Sequence, residues 1–274
     1  MSTKDLDKPK GTDISTDIMD DIFENAGEGA AFAAEDMIIP RINLLQKTSD
    51  QCEEEKPQYL KEARPGMFFN TLTGALVSGD EGLSVVPCYS VTSYTEWVPE
   101  SKGGGIVGSL DPADLRLLKT TRNGSTETFN DNGNEMWKTD EWFCLQVEKD
   151  GTYNPIIVGM KKSALKVSKR WKTQIAMQTI EHPKTGQRVK PPLYGTIWKL
   201  TSVGESNKEG KSWKNWSVEK VGLVSSRELL QDAKTLRTSI VAGEAKAAPE
   251  NENKAVGGQG SSPDTSKDGD EIPF

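Results

Sequence analysis

Fifteen consecutive residues, Leu83 to Trp97 (LSVVPCYSVTSYTEW), are dominated by β-branched and aromatic side chains. Such residues fit a pleated surface and lose rotamer freedom in a helix. The run predicts one long strand, with Leu83, Val85, Tyr89 and Val91 alternating onto one face. Pro87 has no N–H to give to a ladder, so it places a bulge, a bend or a sheet edge inside that strand. A chain built around such an element is mainly β, and the remaining segments must pair with it or pack against it.

They read accordingly. Residues 142–148 (WFCLQVE) place Phe143, Leu145 and Val147 on one side and Trp142, Cys144 and Gln146 on the other. KDGTYN then turns the chain into a returning strand at 155–160. A smaller hairpin is expected from 67–70, TLTG and 75–77, while Gly103 to Gly105 and the NDNGN run at 130–134 mark loops. Residues 161–179 carry Ala164, Val167, Trp171 and Ile175 at helical spacing, with Lys162, Lys166, Lys169 and Arg170 on another side. Strands at 193–203 and 211–221 follow, joined by GESNKEG. A second helix then opens with Ser225 as cap and Glu228 as its capping-box partner. Long strand, hairpin, helix, hairpin is the order of an OB-fold, a five-stranded Greek-key β-barrel with its helix between strands three and four. An open α+β sheet and a β-sandwich with inserted helices are the competing arrangements.

With 34% apolar residues in 274, the chain can fill one moderate core. Residues 36–241 hold that core, as a barrel with an N-terminal elaboration. Residues 1–35 are expected to be a disordered arm, apolar only around Ile18, Met19, Ile22 and Phe23. From 242 to 274 small and polar residues predict a flexible linker ending in an acidic tip.

No run approaches eighteen apolar residues, and MSTKDLDKPK lacks the apolar stretch of a signal peptide, so a cytoplasmic protein with no membrane partner is expected. Cys52, Cys88, Cys144 and His182 are too scattered for a thiolate or imidazole metal site. The lone histidine, read as a surface turn residue, also leaves little basis for nucleophilic catalysis. No catalytic residue, metal or cofactor is expected, and GGGIVGS lacks the Lys-Ser/Thr of a nucleotide loop.

Charge is partitioned. Residues 1–160 carry 14 cations against 28 acids, residues 161–220 carry 14 against 4, and residues 221–274 carry 6 against 9. A +10 segment inside a chain of net charge −7 is what a polyanion-binding face requires, because neutralised phosphates release condensed counterions. Aromatic residues are interleaved with these cations, a combination suited to single-stranded DNA: bases stack on rings at about 1–3 kcal/mol each while ammonium groups follow the phosphates. The candidate contacts are Lys161, Lys162, Lys166, Lys169, Arg170, Lys172, Lys199, Lys211 and Lys214, with Tyr94, Trp142, Trp213 and Trp216 as stacking platforms. Tyr94 and Trp142 are out of phase with the apolar faces of their strands and should point away from the core. Trp213 and Trp216 have opposite parity, so one should stack and the other pack, and Trp171 and Trp198 read as core.

The last seven residues, Asp268, Gly269, Asp270, Glu271, Ile272, Pro273 and Phe274, resemble the acidic tip of single-stranded DNA-binding proteins (SSBs). Those chains end in a run of acids and Ile-Pro-Phe on a linker of similar composition to 242–267. The resemblance implies that Asp268, Asp270, Glu271, Ile272, Pro273 and Phe274 recruit replication or recombination proteins, such as a polymerase, helicase or primase. A carboxylate on phenylalanine suits an apolar pocket rimmed by Arg or Lys. The segment 40–108, with PRINLL, PGMFFNTLTG, YTEW and GGGIVG, resembles DNA-binding proteins encoded by tailed bacteriophages. This implies a protein of replication, recombination or repair made in the cytoplasm of an infected bacterium. Assembly into a homo-oligomer stays open. The rival readings are a strand-annealing recombination mediator, a metal-dependent nuclease using Asp140, Glu141 and Glu148 near Lys149, and an interaction protein whose basic helix grips an acidic partner.

Overall fold

The computed structural model describes residues 16–25, 38–124, 126–244 and 246–247. The chain divides into two units, residues 1–37 and 38–274. In the first, α1 (Thr16–Glu24) exposes Ile18, Met19, Ile22 and Phe23, at the spacing of one helical face.

The second unit runs β1 (Ile38–Ile39), β2 (Arg41–Leu44), β3 (Phe68–Asn70), β4 (Leu76–Val77), β5 (Leu83–Trp97), β6 (Ile106–Leu110), β7 (Thr120–Asn123), β8 (Thr126–Phe129), β9 (Glu135–Val147) and β10 (Tyr153–Lys161). It continues with α2 (Leu165–Ala176), β11 (Ile180–Glu181), β12 (Arg188–Val189), β13 (Thr196–Ser206), β14 (Ser212–Leu223), α3 (Arg227–Ala242) and β15 (Lys246–Ala247). Eleven strands form one curled mixed sheet, a half-barrel, in the order β14-β13-β5-β9-β10-β2-β3-β4, with β6 on β5, β8 on β9 and β7 on β8. The sheet therefore exceeds the five strands expected. The added strands have only two to five residues each; the hairpin of β3 and β4 is the small one expected around TLTG, while β2, β6, β7 and β8 are too short for an alternating pattern to announce them. β2 runs parallel to β10; the other pairings of this sheet are antiparallel. β15 pairs in parallel with β1, so two residues past position 242, where a free linker was expected, are extended against the body.

β5 has the predicted limits but not the predicted face. Its register on β9 passes from Pro87↔Cys144 to Tyr89↔Phe143, leaving Cys88 as an extra residue. One extra residue reverses the alternation. Leu83 and Val85 consequently join the cluster under α2, whereas Tyr89 and Val91 pack on the opposite side with Phe143 and Ile157. Proline immediately before the extra residue accounts for the break, since it gives the ladder no N–H.

The α2 side of the sheet holds the main core. Trp171 is fully buried, stacked on Trp142 at 4.0 Å between ring centroids and edge-on to Trp198 at 5.8 Å. This corrects the outward orientation expected for Trp142. Odd residues of β9 also meet apolar partners, under α3, so both faces of the strand are covered and parity alone does not identify an exposed side. Trp142 Nε1 donates to Ser168 Oγ (2.9 Å), which donates to Asp140 Oδ2 (2.7 Å). Thr92 donates to Asp140 Oδ1 (2.8 Å), and the Lys172 ammonium lies 2.8 Å from Oδ2. Burial acts to raise the Asp140 pKa, but the hydrogen bonds from Lys172, Ser168 and Thr92 outweigh it and the carboxyl is lowered overall. On the other face, α3 buries Leu229 and Ala233 against Val86, Cys88 and Leu145. Its cap is Ser226, whose Oγ accepts from Leu229 N–H at 3.2 Å. The expected box with Ser225 is not formed, because the helix starts one residue later than the pair required.

Close backbone contact fixes the loop before β5. Ser202 N–H donates to Gly79 C=O at 3.0 Å, and a Cβ on Gly79 would fall 2.0 Å from the Gly66 carbonyl oxygen. At Gly82 a Cβ would meet the Leu200 carbonyl at 2.3 Å, and φ is +70°. Neither position accommodates a larger residue.

Beyond the half-barrel, β5 and β9 continue into an arm with β6, β7 and β8. Its anchor is Glu96, which is 4% exposed. Arg116 donates to both carboxylate oxygens at 2.8 and 3.2 Å, and Asn132 and Asn134 each donate at 2.7 Å. The Arg116 hydrogen bond, opposed by burial and helped by the two amides, lowers the Glu96 pKa from 4.5 to about 2. Among the described residues no helix is long and apolar enough to cross a membrane.

Two outcomes follow from these anchors. Trp171→Ala should cost about 3–5 kcal/mol of folding stability, the usual range for deleting a buried ring; urea denaturation showing under about 1 kcal/mol would mean that the helix is held elsewhere. Glu96 is bound more tightly ionised than protonated, so its contribution is complete above its ordinary pKa of 4.5 and disappears as pH falls toward about 2. Stability of the wild type should therefore drop across that window, and Glu96→Gln should flatten the drop; superimposable acid limbs would contradict the anchor.

Candidate functional site

β10 ends at Lys161, and the chain then turns sharply at Lys162, whose φ is +51°, the one non-glycine residue with positive φ among those described. A 3-10 turn (Lys162–Ala164) leads directly into α2, with no side chain capping either start and no acid in either first turn. The turn projects two ammonium groups toward the arm. Lys162 Nζ stands 3.8 Å from the centre of the Trp137 ring and Lys161 Nζ 5.3 Å. Trp137 in turn stacks on Trp97 at 4.6 Å with an interplanar angle of 24°. Loss of water lowers the Lys162 pKa, with Glu135 opposing and Lys161 reinforcing the shift. Cations against indole faces gain about 0.5–2 kcal/mol.

This corner forms one end of a cleft of about 1020 Å³. The start of β14 also lines it, contributing Trp213, Lys214, Asn215 and Trp216, as do β2 and the loop after it. Trp216 packs flat on Phe68 at 4.9 Å and is 5% exposed, whereas Trp213 is half-buried at the surface. The loop after β2 meets β14 through Gln46. Its Nε2 donates to Lys214 C=O at 3.0 Å and its Oε1 accepts from Lys214 N–H at 2.9 Å, so one carboxamide pairs with β14 as a neighbouring strand would. Arg41 lines the cleft and donates to Glu141 Oε1 at 3.2 Å, which also accepts from Ser93 at 3.0 Å.

Five of the thirteen predicted contacts line this cleft: Lys161, Lys162, Trp213, Lys214 and Trp216. Lys169 and Arg170 are exposed on α2 and have no ion pair among the described residues, while Lys166 pairs with Glu205 at 2.8 Å. Lys172 is committed to Asp140 and Trp142 is in the core. Tyr94 lies on the arm, its ring 6.0 Å from Lys138 Nζ. Lys211 is exposed beside the cleft-lining stretch of β14, and Lys199 lies on a separate concavity of about 450 Å³ with Glu81 and Lys149. The tip residues 268–274 lie outside the described residues.

Sequence reasoning missed Trp97, Trp137, Arg41 and Gln46. The two tryptophans carried a signal: Trp97 closes the long strand already expected, and EMWKTD, which holds Trp137, continues the alternation of WFCLQVE backwards and would have lengthened that strand. Arg41 and Gln46 carried none, since their positions depend on a parallel pairing and a side-chain seam. Asp140 and Glu141 project to opposite faces of β9, toward Ser168 and toward Arg41 respectively. Among the described residues no three acids, histidines or cysteines converge as a metal site.

No curated protein and no solved structure matches the chain. Residues 9–246, most of its length, match the family described as Pam3 phage gp34-like protein, and the chain belongs to that family.

Proposed function

We propose that this phage-family protein binds single-stranded DNA without strong sequence preference, during replication or recombination in the cytoplasm of an infected bacterium. The observation that carries the reading is the cleft, which gathers the half-buried Trp97 and Trp213 with Lys161, Lys162 and Lys214 from three distant parts of the chain, while Trp216 packs into the core behind Trp213. Indole faces offer stacking surfaces to unpaired bases and the ammonium groups meet phosphates. The uncapped start of the α2 segment adds backbone N–H groups, which favour an anion. The strand order supports the same reading. β14-β13-β5-β9-β10, with α2 between β10 and β13 in sequence, is the neighbour order of an OB barrel opened between its third and fifth strands. In this view β2 and Gln46 fill that gap, and β3, β4 and the arm are elaborations.

The acidic tip is proposed to recruit partner proteins and to compete with DNA for the cleft. A linker of roughly twenty-five residues has a typical span of about 25–30 Å, enough for a tethered competitor.

Oligo-dT titrated while tryptophan fluorescence is followed at two salt concentrations should quench the signal, with weaker binding at the higher salt. Trp213→Ala should lower affinity by about 1–3 kcal/mol, roughly 5- to 150-fold. Absence of quenching in the wild type, or binding indifferent to salt, would overturn the reading. Removal of residues 268–274 should tighten DNA binding and abolish partner recruitment; weaker DNA binding would refute the competing role of the tip.

A further inference from the structure

We infer that the strand leaves the cleft along α2 and ends on the β11–β12 hairpin, which forms a second, phosphate-only contact region; this rests on the single-stranded DNA reading of the cleft. On α2, Lys166, Lys169 and Arg170 are exposed and stand within about one turn of each other, Lys166 paired with Glu205 and the other two without an ion pair among the described residues. Lys162, in the turn just before the helix, lines the cleft, and the cations continue about 6 Å along α2 from Lys166 to Arg170, with the last six residues of the helix leading on toward the hairpin.

Beyond the helix stands the hairpin. Its ladder has two rungs, Ile180↔Val189 and Glu181↔Arg188, and every residue from 181 to 190 is exposed. A segment that buries so little adds almost nothing to the core, so its composition is free to serve a surface role. That composition is cationic: Lys184, Arg188 and Lys190 against Glu181 alone. Arg188 is paired with Glu181 at 3.1 Å, while Lys184 and Lys190 have no ion pair among the described residues. Residues 180–190 hold no tryptophan, tyrosine or phenylalanine. Its one aromatic ring is the small imidazole of His182, which accepts from Lys184 N–H at 3.3 Å, so the hairpin offers mainly charge, and its ligand is the sugar-phosphate backbone of a strand whose bases are held elsewhere.

This separation defines the test. The full chain and a Lys184→Ala/Lys190→Ala variant would be titrated with oligo-dT of about 8 nucleotides, within the span of one barrel, and of about 30 nucleotides. For the long oligonucleotide, the slope of log affinity against log salt should fall by about 1.4 in the variant, at about 0.7 per single-strand phosphate contact. Affinity for the short oligonucleotide and the amplitude of tryptophan quenching should not change. An unchanged slope with the long oligonucleotide would overturn the extension while leaving the cleft intact. Equal losses with both lengths would also overturn it, because the lysines would then act at the cleft or through general charge. A wild type that binds neither oligonucleotide would remove the cleft reading itself, a result distinct from the other two.

Discussion

The stacking of Trp171 between Trp142 and Trp198 fixes the geometry of the rest. Once that ring is sealed against the sheet, the rotation of α2 is set, and Lys166, Lys169 and Arg170 have only the solvent side to occupy. The polar clasp at Asp140 fixes the same rotation chemically. Ser168 and Lys172, one turn apart, reach a carboxylate that also accepts from Thr92 on β5, so helix and two strands share one acceptor. An uncompensated charge at that depth would cost several kcal/mol; fully hydrogen-bonded, it specifies one docking angle. The start of the helix, and with it the turn at Lys161 and Lys162, inherits that placement.

Length is the other constraint. β5 and β9 are long enough to belong to the half-barrel at one end and to the arm at the other, with thirteen rungs between them. Trp97 and Trp137 are thus carried by the same two strands that bury Val85 and Trp142, and they are positioned by the core even though they stand outside it. The extra residue at Cys88 makes this possible by reversing the faces midway, which lets both ends of β5 place apolar groups where each end needs them.

Much of this was legible in local pattern. The limits of β5, the hairpin of β9 and β10, the amphipathic helix and the two strands after it follow from periodicities of two and of 3.6 residues, and the five cleft residues from charge and aromatic interleaving. The remainder depends on information that no local window holds. β2 is only Arg41 to Leu44, and its parallel partner is more than a hundred residues away. The orientation of Trp142 could not be derived from parity once both faces of its strand proved to be covered. The cleft itself is a meeting of β2, β14 and the turn before α2, and each wall reads as an ordinary surface segment until the others are beside it.

The seam at Gln46 has a mechanical consequence. A barrel wall closed by a strand ladder parts only by breaking many bonds together, whereas this one is closed by one carboxamide through two bonds and by the stack of Phe68 on Trp216. With each such bond contributing a net of about 0.5–1.5 kcal/mol, the carboxamide supplies about 1–3 kcal/mol of the closure, and the buried ring stack adds to it. The seam therefore takes its register from one side chain and its adhesion from two rings.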